Sequence, residues 1–267
     1  MTVLVDTTDG ITTITINRAD RRNAVDPATA RVLYDAFLAF DADPQQQVAV
    51  LTGSEGAFCA GFDLKAAGAG LADDWLASLA IPEDWKDPIS APLPGPMGPT
   101  RLMLSKPVIA AIEGHAVAGG MELAAWCDMR VMADGAATGV FCRRWGVPLI
   151  DGGTVRLPKI LGQGRANDLI LTGRGVSADE ALSLGFANRI CPQGRALDTA
   201  TEIALDLIRF PQLCMRADHL SARTPPADLA AALRREWQSA DVFLAEGKAG
   251  AGRFASGKGR GGDFSNI

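Results

Sequence analysis

Histidine is scarce in this chain, with His115 and His219 the only two among 267 residues. A histidine-based metal centre or a Ser/His/Asp triad is hard to assemble from so little, and no G-x-S-x-G turn is present, so no metal is expected. The five cysteines, Cys59, Cys127, Cys142, Cys191 and Cys214, contain no C-x-x-C spacing. An odd set without that spacing is a poor disulfide framework and reads as reduced thiols of a cytoplasmic protein. No apolar run approaches the roughly 18 uninterrupted residues of a membrane span. The opening MTVLVDTTDG also lacks the basic and apolar regions of a secretory leader. An excess of positive charge is missing too: 26 Lys and Arg stand against 31 Asp and Glu, a net charge of -5. That balance argues against a nucleic-acid partner while leaving cations for local phosphate contacts.

What the chain does have is apolar content, 48% by residue, enough for a sizeable core. Strand-like runs at 2–5 and 11–16 (ITTITI) flank Asp9-Gly10, a pair suited to the positive φ of a hairpin turn. Asp26-Pro27 reads as a helix cap and first helical residue, and Val32, Leu33, Ala36, Phe37 and Phe40 follow at helical spacing. VAVLTG at 48–53, PVIAAIEG at 107–114 and DMRVMAD at 128–134 read as buried strands, each leading through a turn into a helical pattern. This alternation predicts an α/β layered fold. The segment 68–100 interrupts it, because Pro82, Pro88, Pro92, Pro94, Pro96 and Pro99 exclude a continuous helix. It reads as a mobile surface loop beside a binding site, or as a plain surface excursion.

After residue 195 amphipathic helices are expected over 196–209 and 226–245. The closing GKAGAGRFASGKGRGGDFSNI is glycine-rich and basic, either frayed or ordered by a partner. Within it Gly252 to Lys258 imitates a phosphate loop, and Gly257-x-Gly259-x-x-Gly262 imitates a dinucleotide fingerprint. Neither follows a strand, and Gly259 stands where a phosphate loop needs Ser or Thr, so both read as chance matches.

The chemistry therefore falls to carboxylates and backbone, with His115 assigned a structural hydrogen-bonding role. FCAGFDLK at 58–65 and HAVAGGMELA at 115–124 each follow a strand ending in glycine and open into a helical pattern. Placed side by side, two such turns can aim the N–H groups of Phe62 and Gly119 at one carbonyl oxygen, the second from a helix N-terminus. Glu122 lies one helical turn further on. There a carboxylate can exchange a proton with a substrate or hold a water, or can simply be an acid favoured at a helix start.

These turns belong to three ordered motifs: A-G-x-D-L-K from Ala60, K-P-V-I-A-A-I-x-G-x-A-x-x-G-G-x-E-L-x-x-x-C-D from Lys106, and D-G-G-T-x-R-L-P-x-x-x-G from Asp151. In order and spacing they resemble the crotonase (enoyl-CoA hydratase/isomerase) superfamily, from about residue 11 to about residue 190. The resemblance implies an α/β fold: a spiral of repeated ββα units over 1–195 carrying an acyl-CoA site, and a C-terminal helical trimerisation part over 196–267. It implies an acyl-CoA thioester as partner, a homotrimer or dimer of trimers, and no cofactor beyond the coenzyme A of the substrate. Phe62 and Gly119 match the pair of oxyanion-hole donors, and Glu122 matches the first catalytic glutamate of family hydratases. Ala60, Asp63 and Leu64 match the adenine-binding turn, Arg21 or Arg22 the contact to coenzyme A phosphates, and Gly120 falls within the substrate turn.

The family's second glutamate is absent. Ungapped alignment puts Cys142 there, beside Arg143 and Arg144, and a thiol replaces a carboxylate poorly unless an arginine lowers its pKa. Asp151 is the alternative second acid, or a turn former before Gly152-Gly153. The leading expectation is hydration of a 2-enoyl-CoA through a stabilised enolate. Two others stay open: an enoyl- or dienoyl-CoA isomerase using Glu122 and Asp151, and a catalytically impaired module that binds acyl-CoA or protein.

Overall fold

In a computed structural model of the chain, residues 1–242 and 246–258 are described. Strands β1 (Val3–Thr8) and β2 (Ile11–Ile16) pair antiparallel around Asp9-Gly10, whose φ angles of 52° and 82° are those a two-residue hairpin turn requires. The Asp26 side chain accepts from the Thr29 N–H at 2.8 Å to start α1 (Pro27–Ala42), which buries Ala30, Leu33, Phe37 and Phe40 on one face. β3 (Val48–Gly53) then returns parallel to β2.

Short helices α2 (Leu64–Gly68) and α3 (Asp73–Ala77) precede the repeating part of the fold. There β4 (Val108–Ile112) and β5 (His115–Val117) lead into α4 (Gly119–Trp126). β6 (Met129–Ala133) and β7 (Ala137–Gly139) lead into α5 (Gly153–Leu161) and α6 (Gln163–Thr172). β8 (Gly175–Ser177), α7 (Ala178–Leu184) and β9 (Arg189–Cys191) close the series. Each repeat gives one strand to a sheet ordered β1-β2-β3-β4-β6-β9 and one to a smaller sheet ordered β5-β7-β8. This is the spiral of ββα units expected. Beyond the first hairpin the large sheet is parallel and covered on both faces, so β4 is buried at every position.

Helices α8 (Ala196–Ile208), α9 (Gln212–Ala222), α10 (Pro226–Trp237), α11 (Ala240–Val242) and α12 (Lys248–Ala255) follow. α8 lies on β3, β4 and β6 through Ala196, Ala200 and Ala204, small residues at helical spacing that let helix and sheet approach closely. No described helix is long and apolar enough to cross a membrane.

Three expectations need correction. Segment 68–100 is anchored rather than a loose excursion: Trp75, Leu79, Ile81, Trp85 and Met97 are buried, and the indole N–H groups of Trp75 and Trp85 donate to Pro96 O and Ala91 O at 3.1 and 2.6 Å. Its apolar residues follow no regular period, so pattern reading has nothing to detect. The helix expected over 226–245 stops at Trp237, before the short α11, and 243–245 lie outside the described residues. The tail begins as a helix, α12, packed on α2, with Phe254 edge-on to Trp145 at 5.2 Å. A Cβ at Gly250 would stand 1.7 Å from Trp145 O, so glycine there serves close packing. The Gly252–Lys258 pattern thus starts inside a helix, and the Gly257–Gly262 pattern runs into 259–267, outside the described residues.

One long-range cap can be tested. α8 has no capping side chain of its own, and Glu113, just past β4, supplies the carboxylate: it accepts from Gly194 N–H and from Ala196 N–H at 3.1 Å. Glu113→Ala should lower unfolding free energy by about 1 kcal/mol, read from chemical denaturation.

Candidate active site

The turn after β3 reaches Cys59, which pairs in parallel with Ala116 of β5: Cys59 N–H donates to His115 O at 2.9 Å and Val117 N–H to Cys59 O at 3.0 Å. This pairing sets the turn at 60–63 against the turn at 118–120. The contact depends on two residues that carry no side chain, Gly61 and Gly120. Gly61 has φ +95°, and a Cβ on it would lie 2.9 Å from Gly119 N; one on Gly120 would strike Cys59 O at 2.1 Å. One on Gly119 would meet Met97 Sδ at 2.8 Å, so the Met97 side chain covers that glycine. Ala118, at φ 53° and ψ -126°, holds a strained turn just before α4 begins.

Val25 takes up the Gly61 carbonyl and the Asp63 N–H, leaving the Phe62 N–H outside that bridge. Gly119 N–H opens α4, where no intrahelical acceptor exists. Neither N–H has an acceptor among the described residues.

Glu122 is 3% exposed, and its Oε1 accepts from Asp151 N–H and Gly153 N–H, both at 2.9 Å. Oε2 has no hydrogen-bond partner among the described residues, yet is not one of the enclosed unpaired atoms, so it borders accessible space. Burial, and then the nearby Asp151 and Glu236 charges, hold the Glu122 carboxyl well above the usual range, against the two N–H donors. Asp151 is buried as well, pushed up to about 6 by burial against its bonds to Thr100 and Met97 and the Arg101 and Arg156 charges. Its Oδ1 accepts from Met97 N–H at 2.8 Å and Thr100 Oγ1 at 2.5 Å, fixing the turn that carries Met97 over Gly119. Both carboxyls hold their protons more tightly folded than unfolded. Their contribution to stability is therefore full below the unfolded carboxylate range and is lost as pH rises through the raised values, for Asp151 between 3.8 and about 6.

Two turns approach through glycines, two N–H groups lack acceptors among the described residues, and a buried carboxyl keeps one oxygen open. The profile of the enoyl-CoA hydratase/isomerase family matches residues 6–255. The chain belongs to that family, the crotonase superfamily. A carnitinyl-CoA dehydratase of Salmonella arizonae is 40% identical over 207 residues, 76% of this chain and 73% of the relative. One from Escherichia coli is 39% identical over 209 residues with the same coverage. Among solved structures, a carnitinyl-CoA hydratase from Mycobacterium avium superposes with TM-score 0.80 at 27% identity, covering 96% of this chain and 95% of that one. A probable enoyl-CoA hydratase/isomerase from Mycobacterium abscessus does so with TM-score 0.70 at 34% identity, covering 96% and 95%. The protein is an acyl-CoA hydratase of the crotonase family, an enzyme of the lyase class, and the isomerase and non-catalytic readings are not favoured.

The remaining site residues fall into place unevenly. Cys142 is buried, and burial first, then the Glu122 charge, pushes its thiol up to about 12 despite Arg143. The lowering by a neighbouring arginine considered from the sequence is outweighed, and the group stays a neutral thiol at pH 7. Asp63 is locked by structure: Oδ1 caps α2 through Lys65 and Ala66 N–H, and Oδ2 pairs with Arg18 at 3.1 Å. Arg18 also pairs with Asp26 at 2.8 Å, a link between α1 and the site turn that the sequence did not single out. Ala60 and Leu64 are half-buried on that turn, with Ala60 N–H donating to Arg22 O at 3.1 Å. Arg21 and Arg22 are exposed beside it, Arg21 against Asp20 at 3.3 Å. Two open surface clefts lie around α5 and the α9–α10 junction, and Thr154 and Glu236 line the second.

His115 contributes its carbonyl, while its ring is exposed; His219 sits 2.6 Å from Asp128. No three His, Cys, Asp or Glu among the described residues cluster as a metal site. Sequence reading missed Thr100, Arg101 and Glu236 altogether, and it quoted Arg156 without a role. Arg156 donates to Asp151 O at 3.0 Å and Thr100 O at 2.7 Å, and Arg101, 4.6 Å over Trp237, donates to Leu79 O and Pro94 O at 2.7 and 3.0 Å.

A Cβ at Gly153 would lie 2.8 Å from Glu122 Oε1. Gly153→Ala should therefore displace the carboxyl and lower kcat by about 10²-fold with little change in melting temperature, measured by steady-state kinetics beside a thermal melt.

Proposed function

We propose that the enzyme adds water across the double bond of a 2-enoyl-CoA, or runs the same step backward on a 3-hydroxyacyl-CoA. The observation that carries this reading is the Glu122 carboxyl, tied down through one oxygen and open at the other, one helical turn beyond the unpaired Gly119 N–H. The thioester oxygen takes the N–H groups of Phe62 and Gly119, which polarise the conjugated system and hold the enolate that forms. Glu122 Oε2 accepts a proton from the water as its oxygen bonds to the β carbon. A proton is then returned to the α carbon, so atoms and charge balance over the cycle. Asp151, raised but still able to ionise near neutral pH, is the second carboxyl of the pair and shares that proton.

Ala60, Asp63, Leu64 and Gly120 form the turn against which coenzyme A lies, with Arg21 or Arg22 at its phosphates and Cys142 as a neutral wall beside Glu122. No cofactor other than the substrate's own coenzyme A is required. A spiral core over 1–195 and a helical part over 196–267 that assembles a cytoplasmic homotrimer or dimer of trimers complete the proposal. The exposed Leu197, Leu205, Phe210, Leu213 and Leu220 on and between α8 and α9 support that assembly.

Crotonyl-CoA and carnitinyl-CoA, the latter suggested by the names of the relatives, are the first substrates to test. Hydration removes the conjugated ultraviolet absorbance of the enoyl thioester; a double-bond shift out of conjugation that yields no hydroxyacyl product would overturn the reading. Glu122→Gln should reduce kcat by about 10²- to 10⁴-fold. In the hydration direction Glu122 must be ionised, so kcat/KM should fall with decreasing pH, with a midpoint above the ordinary carboxylate value of 4.5.

A further inference from the structure

Glu236 is a third buried carboxylate at this site, 6% exposed, and neither the motifs nor the mechanism above uses it. It lies in the last turn of α10, where the helix dipole disfavours negative charge and the neighbours Arg234 and Arg235 are the expected residue types. A buried acid in that position breaks a local rule, and the reason is what it touches. Glu236 Oε1 accepts from Gly152 N–H at 2.5 Å, and Oε2 accepts from Thr154 N–H at 2.8 Å and Thr154 Oγ1 at 2.6 Å. The intervening donors, Asp151 N–H and Gly153 N–H, go to Glu122. Along 151–154 successive N–H groups therefore alternate between two carboxylates on opposite sides of one turn. α5, which starts at Gly153 with no capping side chain of its own, receives its N-terminal anions from α4 and α10.

We propose that Glu236 is a positioning residue for Glu122, clamping from α10 the alternate N–H groups of the turn whose other N–H groups hold the Glu122 carboxyl. The C-terminal helices are thereby part of the catalytic apparatus as well as a packing layer. Arg234 keeps α10 in place, donating to Pro82 O at 3.0 Å and Trp85 O at 2.5 Å, and the Arg101 guanidinium stacks on Trp237. Five groups bear electrostatically on Glu122 and its turn: Asp151 and Glu236 as anions, Arg156 and Arg101 as cations, and the neutral Cys142 thiol. The Glu236 charge itself raises the Glu122 carboxyl, so its loss eases ionisation of Glu122. The inference rests on Glu122 as the reading above has it.

The test compares wild type with Glu236→Gln, Thr154→Val and, as a control on the exposed side of the same helix, Arg235→Ala. Infrared difference titration of the Glu122 carboxyl, assigned by its loss in Glu122→Gln, needs no turnover, so the clamp is judged separately from the reaction. In Glu236→Gln the Glu122 midpoint should move down by about one pH unit, the acid limb of kcat/KM should follow it, and kcat should fall roughly 10-fold with KM changed little. Thr154→Val removes one bond to the clamp at an exposed position, and should lower kcat a few-fold in a protein that melts as wild type does; Arg235→Ala should match wild type. An unmoved Glu122 midpoint in Glu236→Gln would overturn the proposal. So would a fall in melting temperature with kcat and the pH profile intact, because that pattern belongs to a residue that only packs.

Discussion

The start of α5 is the point on which the site depends. A helix N-terminus presents N–H groups with no acceptor inside the helix and a positive dipole end. Here those groups and the two before them hold Glu122 on one side and Glu236 on the other. Burial works against ionisation of both side chains, while the N–H donors and the dipole favour it. The balance leaves both carboxyls raised above their ordinary range, and the proposed proton transfer through Glu122 draws on that shift.

A second constraint comes from the backbone. Gly61 and Gly120 are required less for flexibility than because the segment 59–63 and the start of α4 approach more closely than a Cβ at either position allows. The Cys59–Ala116 pairing brings the turns together, and Met97, held by Asp151, covers Gly119. Asp151 thus links the turn that holds Glu122 to the cover over Gly119 through a single residue. On the proposed reading, change there acts on proton transfer and on the shape of the site at once.

Local chemistry explains what could be read in advance. The hairpin at Asp9-Gly10, the cap at Asp26, the buried parallel strands and the glycine pair before Glu122 each follow from rules that act within a few residues. The motifs also point to Phe62, Gly119 and Glu122 as one candidate site. What escaped reading lies where the cause is distant: Arg18 beside Asp63, Glu113 at the start of α8, and the packing of 68–100 through irregularly spaced tryptophans. The neutral state of Cys142 escaped as well, because burial decides it and Arg143 beside it in the chain does not.

By itself the sequence determined the alternation of strand and helix, the turn glycines and the family, since hydrophobic period, turn propensity and motif spacing are properties of neighbouring residues. The tertiary structure alone decided which charges face Glu122. Glu236 stands 84 positions from Gly152, and no local pattern connects them. Their meeting follows from the docking of α10 over the second apolar cluster, where Leu229, Ala230 and Leu233 pack with Ile81, Trp85 and Met103. Burial of that apolar face carries the carboxylate to a turn that needs an acceptor, and the same burial sets its charge.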